Sequence, residues 1–214
     1  MQNKLKINKR TSFFRHEIGL QLIYDIVNKR DHTDIASVAC ADGKEPISIV
    51  IFLENMMNKF TIDGFDISEK QLRKAKKGEY FVGSYTKHYE KILNYLTWVN
   101  DDIWNKKYLI NKEISSKIKY FKQDIEVVKL PKTYDVIFLQ NLLYHYNSSK
   151  REKILINVVN SMNKGGTLIC ETPNHRCMRE YMWWMKDLEQ FGFQRINHKQ
   201  STFFNTDKLY RKIN

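Results

Sequence analysis

The sequence predicts an α/β fold: a mostly parallel sheet with helices on both faces and a small inserted subdomain. Three stretches carry that expectation. In residues 34–56, an apolar run at 35–40, rich in small and β-branched residues, meets the tight turn Ala41-Asp42-Gly43. Apolar residues at helical spacing follow, namely Ile47, Val50, Ile51 and Met57. Residues 60–66 form a second strand that ends in Asp66, and YDVIFL at 134–139 forms a strongly apolar strand that ends in Gln140-Asn141. Strand, turn and helix in succession is the repeating unit of a parallel sheet. Ligands of such sheets sit at the carboxyl ends of the strands.

Composition bounds the rest. The 214 residues suffice for one domain with a full core, and 42% of them are hydrophobic, which excludes a disordered chain. No run reaches the roughly 18 apolar residues of a membrane span. The basic start MQNKLKINKR lacks the apolar region of a secretory signal. Cys40, Cys170 and Cys177 are odd in number and widely spaced, so neither a disulfide framework nor a zinc site is indicated. These features make the cytoplasm the expected compartment. The formal net charge of +12 draws anionic partners. Only Lys74, Lys76 and Lys77 form a tight group, and no aromatics interleave with them as a nucleic-acid stacking platform requires. A solvated lysine-rich surface accounts for the charge, and an acidic protein partner stays open.

Taken in order, Thr11-Ser12 are expected to cap a helix through Phe13, Phe14, Ile18, Leu22, Ile23 and Ile26, with Arg15 on it. Residues 1–33 then form an N-terminal helical arm, and 34–214 the main domain. Ser68 is expected to cap a helix carrying Leu72 and Ala75. An acid at the tip of the second strand is the type a nucleoside-binding α/β fold sets on ribose hydroxyls, which points at Asp66. Residues 78–117 break the alternation: Gly78, Gly83, Tyr80, Phe81, Tyr85, Tyr89, Tyr95 and Trp98 follow no clear period. They read as an inserted flap beside the cleft. The sheet resumes at 118–121, followed by Gln123-Asp124-Ile125. After the strand at 134–139 comes a loop with Tyr144, His145 and Tyr146, then a helix capped by Ser148-Ser149. Gly165-Gly166 turns into a strand at 167–170. A helix at 178–191 and terminal strands at 193–196 and 201–205 close the chain, the last two as an antiparallel edge.

Five segments, in order, resemble the chemotaxis-receptor (CheR-type) methyltransferase family, and with it a Rossmann-like class I methyltransferase with a seven-stranded sheet. TSFFR at 11–15 resembles T-x-F-F-R, and ACADGKEPIS at 39–48 resembles G-C-S-T-G-E-E-P-Y-S. FDIS at 65–68 resembles T-D-I, and LRKAKKGEY at 72–80 resembles L-x-x-A-x-x-G-x-Y. YDVIFLQNLLYHY at 134–146 resembles F-D-x-I-F-C-R-N-V-x-I-Y-F.

The resemblance implies S-adenosylmethionine as cofactor and S-adenosylhomocysteine as product. It implies that Arg15 forks onto the methionine carboxylate, Glu45 accepts from its ammonium, and Asp66 takes the ribose. Asp124 and Ile125 would flank the adenine. Leu139, Gln140 and Asn141 would border the methionine end, with Ala39 in the turn and Thr11 orienting the same region. His145, Tyr146 and Arg15 are the catalytic candidates. The chain begins just before TSFFR, so the family's preceding helical domain is expected to be lacking. Lys44 stands where the family has an acid, and His145 where it has a tyrosine. The implied acceptor is an oxygen, with a carboxylate of a protein or a small molecule ahead. O- or N-methylation of a small metabolite, and a non-catalytic cofactor-binding module, stay open. Nucleic acid is disfavoured, because Gln140-Asn141-Leu142-Leu143 replaces the N/D-P-P-Y/F of base methyltransferases.

Overall fold

The computed structural model describes residues 11–15, 17–102, 105–171, 188–195 and 207–213. Within them, α1 (Glu17–Asn28) leads into β1 (Thr33–Val38) and α2 (Lys44–Phe52). Next come β2 (Phe60–Asp66), α3 (Glu69–Lys77), β3 (Glu79–Phe81), α4 (Tyr89–Leu93), β4 (Leu96–Asp102), β5 (Asn105–Ile110) and α5 (Lys112–Ser115). The remainder is β6 (Ile118–Lys122), β7 (Tyr134–Leu139), α6 (Ser148–Val159), β8 (Met162–Glu171), β9 (Phe193–Arg195) and β10 (Asp207–Lys212).

The main sheet has seven strands in the order β6-β2-β1-β7-β8-β10-β9. The pairs β6–β2, β2–β1, β1–β7 and β7–β8 are parallel, and β10 runs antiparallel to both its neighbours. Strand order therefore reverses between β1 and β7, which opens a crevice at their carboxyl ends. This is the predicted α/β sheet with its antiparallel edge. The antiparallel edge is β10 with β9 outermost; the expected strand at 201–205 and most of the helix expected at 178–191 lie outside the described residues.

Alternation along the strands divides the core in two. Ile35, Ile62, Val136, Phe138 and Ile169 face α1, α2 and the second sheet. Ala36, Val38, Ile137, Leu139, Leu168 and Cys170 face α6. Central parallel strands are covered on both sides, which is why they read as unbroken apolar runs.

Residues 79–110 hold a separate antiparallel sheet, β3-β5-β4. Tyr80, Val82, Tyr108 and Ile110 bury their side chains in the same cluster as α1 and α2.

Two local expectations need correction. The helix does not begin at Thr11. Residues 11–15 are non-helical, Phe14 has φ 49°, and α1 starts at Glu17. A left-handed residue breaks the helical ladder. The Phe14 amide instead donates to Ser48 Oγ at 2.9 Å, and both Phe13 and Phe14 are buried. Arg15 thus precedes the helix rather than lying on it. Likewise the cap of α6 is Asn147, whose side chain accepts from the Lys150 amide at 3.1 Å, not Ser148 or Ser149.

Candidate active site

The crevice is a cleft whose walls come from five places. Residues 11–15 supply Thr11, Phe14 and Arg15. The turn after β1 supplies Ala39, Cys40 and Ala41, and α2 supplies Glu45 and Ser48. The tip of β2 supplies Asp66 and Ile67, with Gln71 behind it on α3. The loop after β6 gives Gln123, Asp124 and Ile125. The tip of β7 and the following turn give Gln140, Asn141, Leu142, His145 and Tyr146.

The turn after β1 is unusually tight. Ala39, Ala41 and Gly43 all have positive φ, at 60°, 49° and 86°. Tyr120 explains why Gly43 is glycine: a Cβ there would come within 2.5 Å of the phenol oxygen. Gly64, beneath the turn on β2, would meet the same ring at 2.8 Å. Tyr120 fills the space under the turn, and burial pushes its phenol well up.

Asp66 is tied into this turn. One carboxylate oxygen accepts the Ala41 amide at 2.9 Å and the other the Ser68 amide at 2.7 Å. The start of α3 is therefore served by Asp66, and Ser68 at its cap position makes no side-chain cap bond. The Asp66 carboxylate lines the cleft. Glu45 is fixed from below, accepting from Ser37 Oγ at 2.7 Å.

Gln140 is 4% exposed, and neither its amide nitrogen nor its amide oxygen has a partner among the described residues. A buried orphan group costs about 1–3 kcal/mol. A ligand carrying both a donor and an acceptor, as an amino-acid end group does, would satisfy both atoms. Asn141, at φ 56°, then turns the chain away from β7. The turn at Leu143–His145 brings His145 and Tyr146 back over the cleft. Burial lowers the imidazole pKa of His145 below its ordinary value. Burial, then Asp124 and Glu126, raise the phenol pKa of Tyr146, and Lys150 lies 5.7 Å over its ring. Near neutral pH both groups are uncharged.

The cleft gathers Thr11, Arg15, Ala39, Glu45, Asp66, Asp124, Ile125, Gln140, Asn141, His145 and Tyr146. Leu139 does not line it. Its side chain is 1% exposed and packs in the cluster facing α6, because alternation on β7 turns Phe138 and Leu139 to opposite faces. Phe138, not Leu139, lines the cleft. Lys44 does not line it either, so the family's lost acid leaves the cleft wall intact. Among the described residues, none of the three-stranded sheet lines the cleft. Sequence reasoning missed Ile67, Gln71 and Gln123. The sequence signal for Ile67 was its place directly after the strand-end acid; the structure leaves it 57% exposed there.

Comparison with known proteins gives the family and the fold. The CheR methyltransferase, SAM binding domain, family model matches residues 9–172. A chemotaxis protein methyltransferase of Borreliella burgdorferi is 31% identical over 175 residues, covering 73% of this chain and 57% of the relative. Chemotaxis protein methyltransferase 2 of Vibrio cholerae is 29% identical over 182 residues, covering 78% of this chain and 62% of the relative. The chain thus spans about three fifths of the length of these relatives. The crystal structure of a TehB-like SAM-dependent methyltransferase from Corynebacterium glutamicum superposes with a TM-score of 0.57 at 15% identity, covering 90% of this chain and 86% of that one. The sheet is that of a class I methyltransferase, the cofactor of the domain is S-adenosylmethionine, and the chain belongs to the CheR methyltransferase family through its SAM-binding domain.

Proposed function

We propose that the chain catalyses methyl transfer from S-adenosylmethionine to a carboxylate oxygen, as in protein-glutamate O-methylation. When bound, the cofactor supplies a methyl group already activated by its sulfonium. The chain's own task is to hold cofactor and acceptor in line and to keep water out, which can supply on the order of 7–11 kcal/mol.

The roles divide along the cleft. Asp66 accepts from the ribose hydroxyls, while Asp124 and Ile125 border the adenine, with Ile67 and Gln71 on the same wall. Arg15 forks onto the methionine carboxylate, Glu45 accepts from the ammonium, and Gln140 offers its orphan amide to the same end. Thr11, Ala39 and Asn141 shape the turn around it. His145 and Tyr146 face the acceptor.

The observation that carries the carboxylate reading is the neutral pair His145 and Tyr146 on the cleft wall. A carboxylate is already ionised at neutral pH, since Glu titrates near ~4.3. It needs hydrogen-bond donors to hold it, and no base. A neutral imidazole and a phenol each supply one donor. The formal charge of +12 favours an anionic acceptor, and the names of the two curated relatives favour a protein one. The same neutral His145 supports a second reading, in which it takes a proton from a hydroxyl or ammonium acceptor.

Methyl-labelled cofactor incubated with the protein and cell lysate separates these readings. Label released as volatile methanol by mild alkali identifies a methyl ester. Alkali-stable label overturns the carboxylate assignment in favour of the second reading, and binding with no transfer leaves a cofactor-binding module.

A further inference from the structure

We propose that Lys44, paired with Asp42, is a positioning residue: the pair latches residues 11–15 onto the turn after β1, and so sets cofactor affinity without lining the cleft. Those five residues contribute Thr11, Phe14 and Arg15 to the cleft wall, yet they belong to no helix or strand. Something other than a backbone ladder must hold them.

Three contacts do so, and Lys44 takes part in each. Its ammonium donates to Thr11 Oγ1 at 3.2 Å, and the Thr11 hydroxyl donates to Asp42 Oδ1 at 2.6 Å. The ammonium also pairs with Asp42 Oδ2, closing a ring of three side chains. The Lys44 carbonyl accepts from Ser48 Oγ at 2.7 Å, and that hydroxyl oxygen accepts the Phe14 amide. The third contact is apolar. Phe13 packs edge-on against Tyr80 at 5.2 Å, and the Lys44 ammonium lies over both rings, 5.9 Å and 5.3 Å from their centroids.

The pair is only 17% and 18% exposed, so each charge depends on the other. It also braces the turn itself. Tyr80 Oη donates to the Asp42 carbonyl at 2.7 Å, between the left-handed Ala41 and Gly43. Ala41 in turn donates to Asp66. Displacement of Asp42 would therefore reach two walls of the cleft, one through Thr11 and one through Ala41. Two residues that differ from the family pattern, Asp42 and Lys44, make one charged latch, and neither is needed to touch the cofactor.

The test reads binding, so it stands whatever the methyl acceptor proves to be. Titration calorimetry with S-adenosylhomocysteine is run on Lys44→Met, Asp42→Asn, the double variant and Lys44→Arg, with the unfolding midpoint of each as control. Each of the first two variants should weaken binding roughly tenfold, the scale of one charge-assisted hydrogen bond. The double variant should be no weaker than either single one, because the latch is one unit. Lys44→Arg, which keeps the charge and donors, should stay within about twofold of the parent. Hydrogen exchange of the Phe14 amide should quicken in Lys44→Met while amides of β1 and β7 keep their protection. Unchanged affinity in both single variants, a double-variant loss equal to the product of the two, or unaltered Phe14 exchange would overturn the latch. If Lys44→Met fails to fold, Asp42→Asn and Lys44→Arg decide it on the same criteria.

Discussion

The Asp66 carboxylate and the Ala41 amide, 2.9 Å apart, join the tip of β2 to the turn after β1. One bond thereby couples the group proposed for the ribose to the loop proposed to pass beneath the methionine end. The second Asp66 oxygen holds the first amide leading into α3. Both carboxylate oxygens thus accept from backbone amides, which fixes the orientation of the group.

Asp66→Ala should therefore weaken S-adenosylhomocysteine by roughly 1.5–3 kcal/mol, the range for a lost charged hydrogen-bond partner. Asp66→Asn should lose less, since it keeps one acceptor for the Ala41 amide. Calorimetry on the two variants measures both. Parent-like affinity in Asp66→Ala would remove this residue from the cofactor site.

Ala39 makes the opposite kind of prediction. At φ 60° an alanine pays about 1–2 kcal/mol that glycine does not. Glycine returns about 0.4–1 kcal/mol of that as unfolded-chain entropy. Ala39→Gly should raise stability by about 0.5–1 kcal/mol, or roughly 2 °C in melting temperature for a chain of this size. A calorimetric scan that shows destabilisation would mean that the methyl group of Ala39 packs usefully in the turn.

His145 gives a pH dependence with a definite sign. Burial lowers its folded pKa below the value near ~6.5 of an unfolded chain. Between those two values the unfolded chain binds more protons, so this residue's contribution to stability falls as pH drops through the window. Nuclear magnetic resonance titration should place its midpoint under ~6.5. With a carboxylate acceptor, the rate should be flat across neutral pH and His145→Gln should keep most activity. A rate that falls with the His145 midpoint, together with a loss of roughly 10²–10⁴-fold in His145→Gln, would make it a general base.

The sequence by itself determined the sheet and most of the cleft. The apolar runs at 35–40 and 134–139 call for burial on both faces, and a strand's carboxyl end is where its following turn must lie. Asp66, Gln140 and Asn141 were legible for that reason: their position follows from chain direction alone. Tertiary structure decided what depends on side-chain direction and on contacts distant in sequence. Leu139 and Phe138 are indistinguishable as apolar neighbours, and only pairing with β1 and β8 turns Phe138 to the cleft. Phe13 and Phe14 fit a helical stripe, yet Ser48 and Tyr80 bind them more favourably in an irregular segment. Lys44 reads as a surface charge until Asp42, Thr11 and Tyr80, brought from three parts of the chain, surround it; local pattern carries no record of such a meeting.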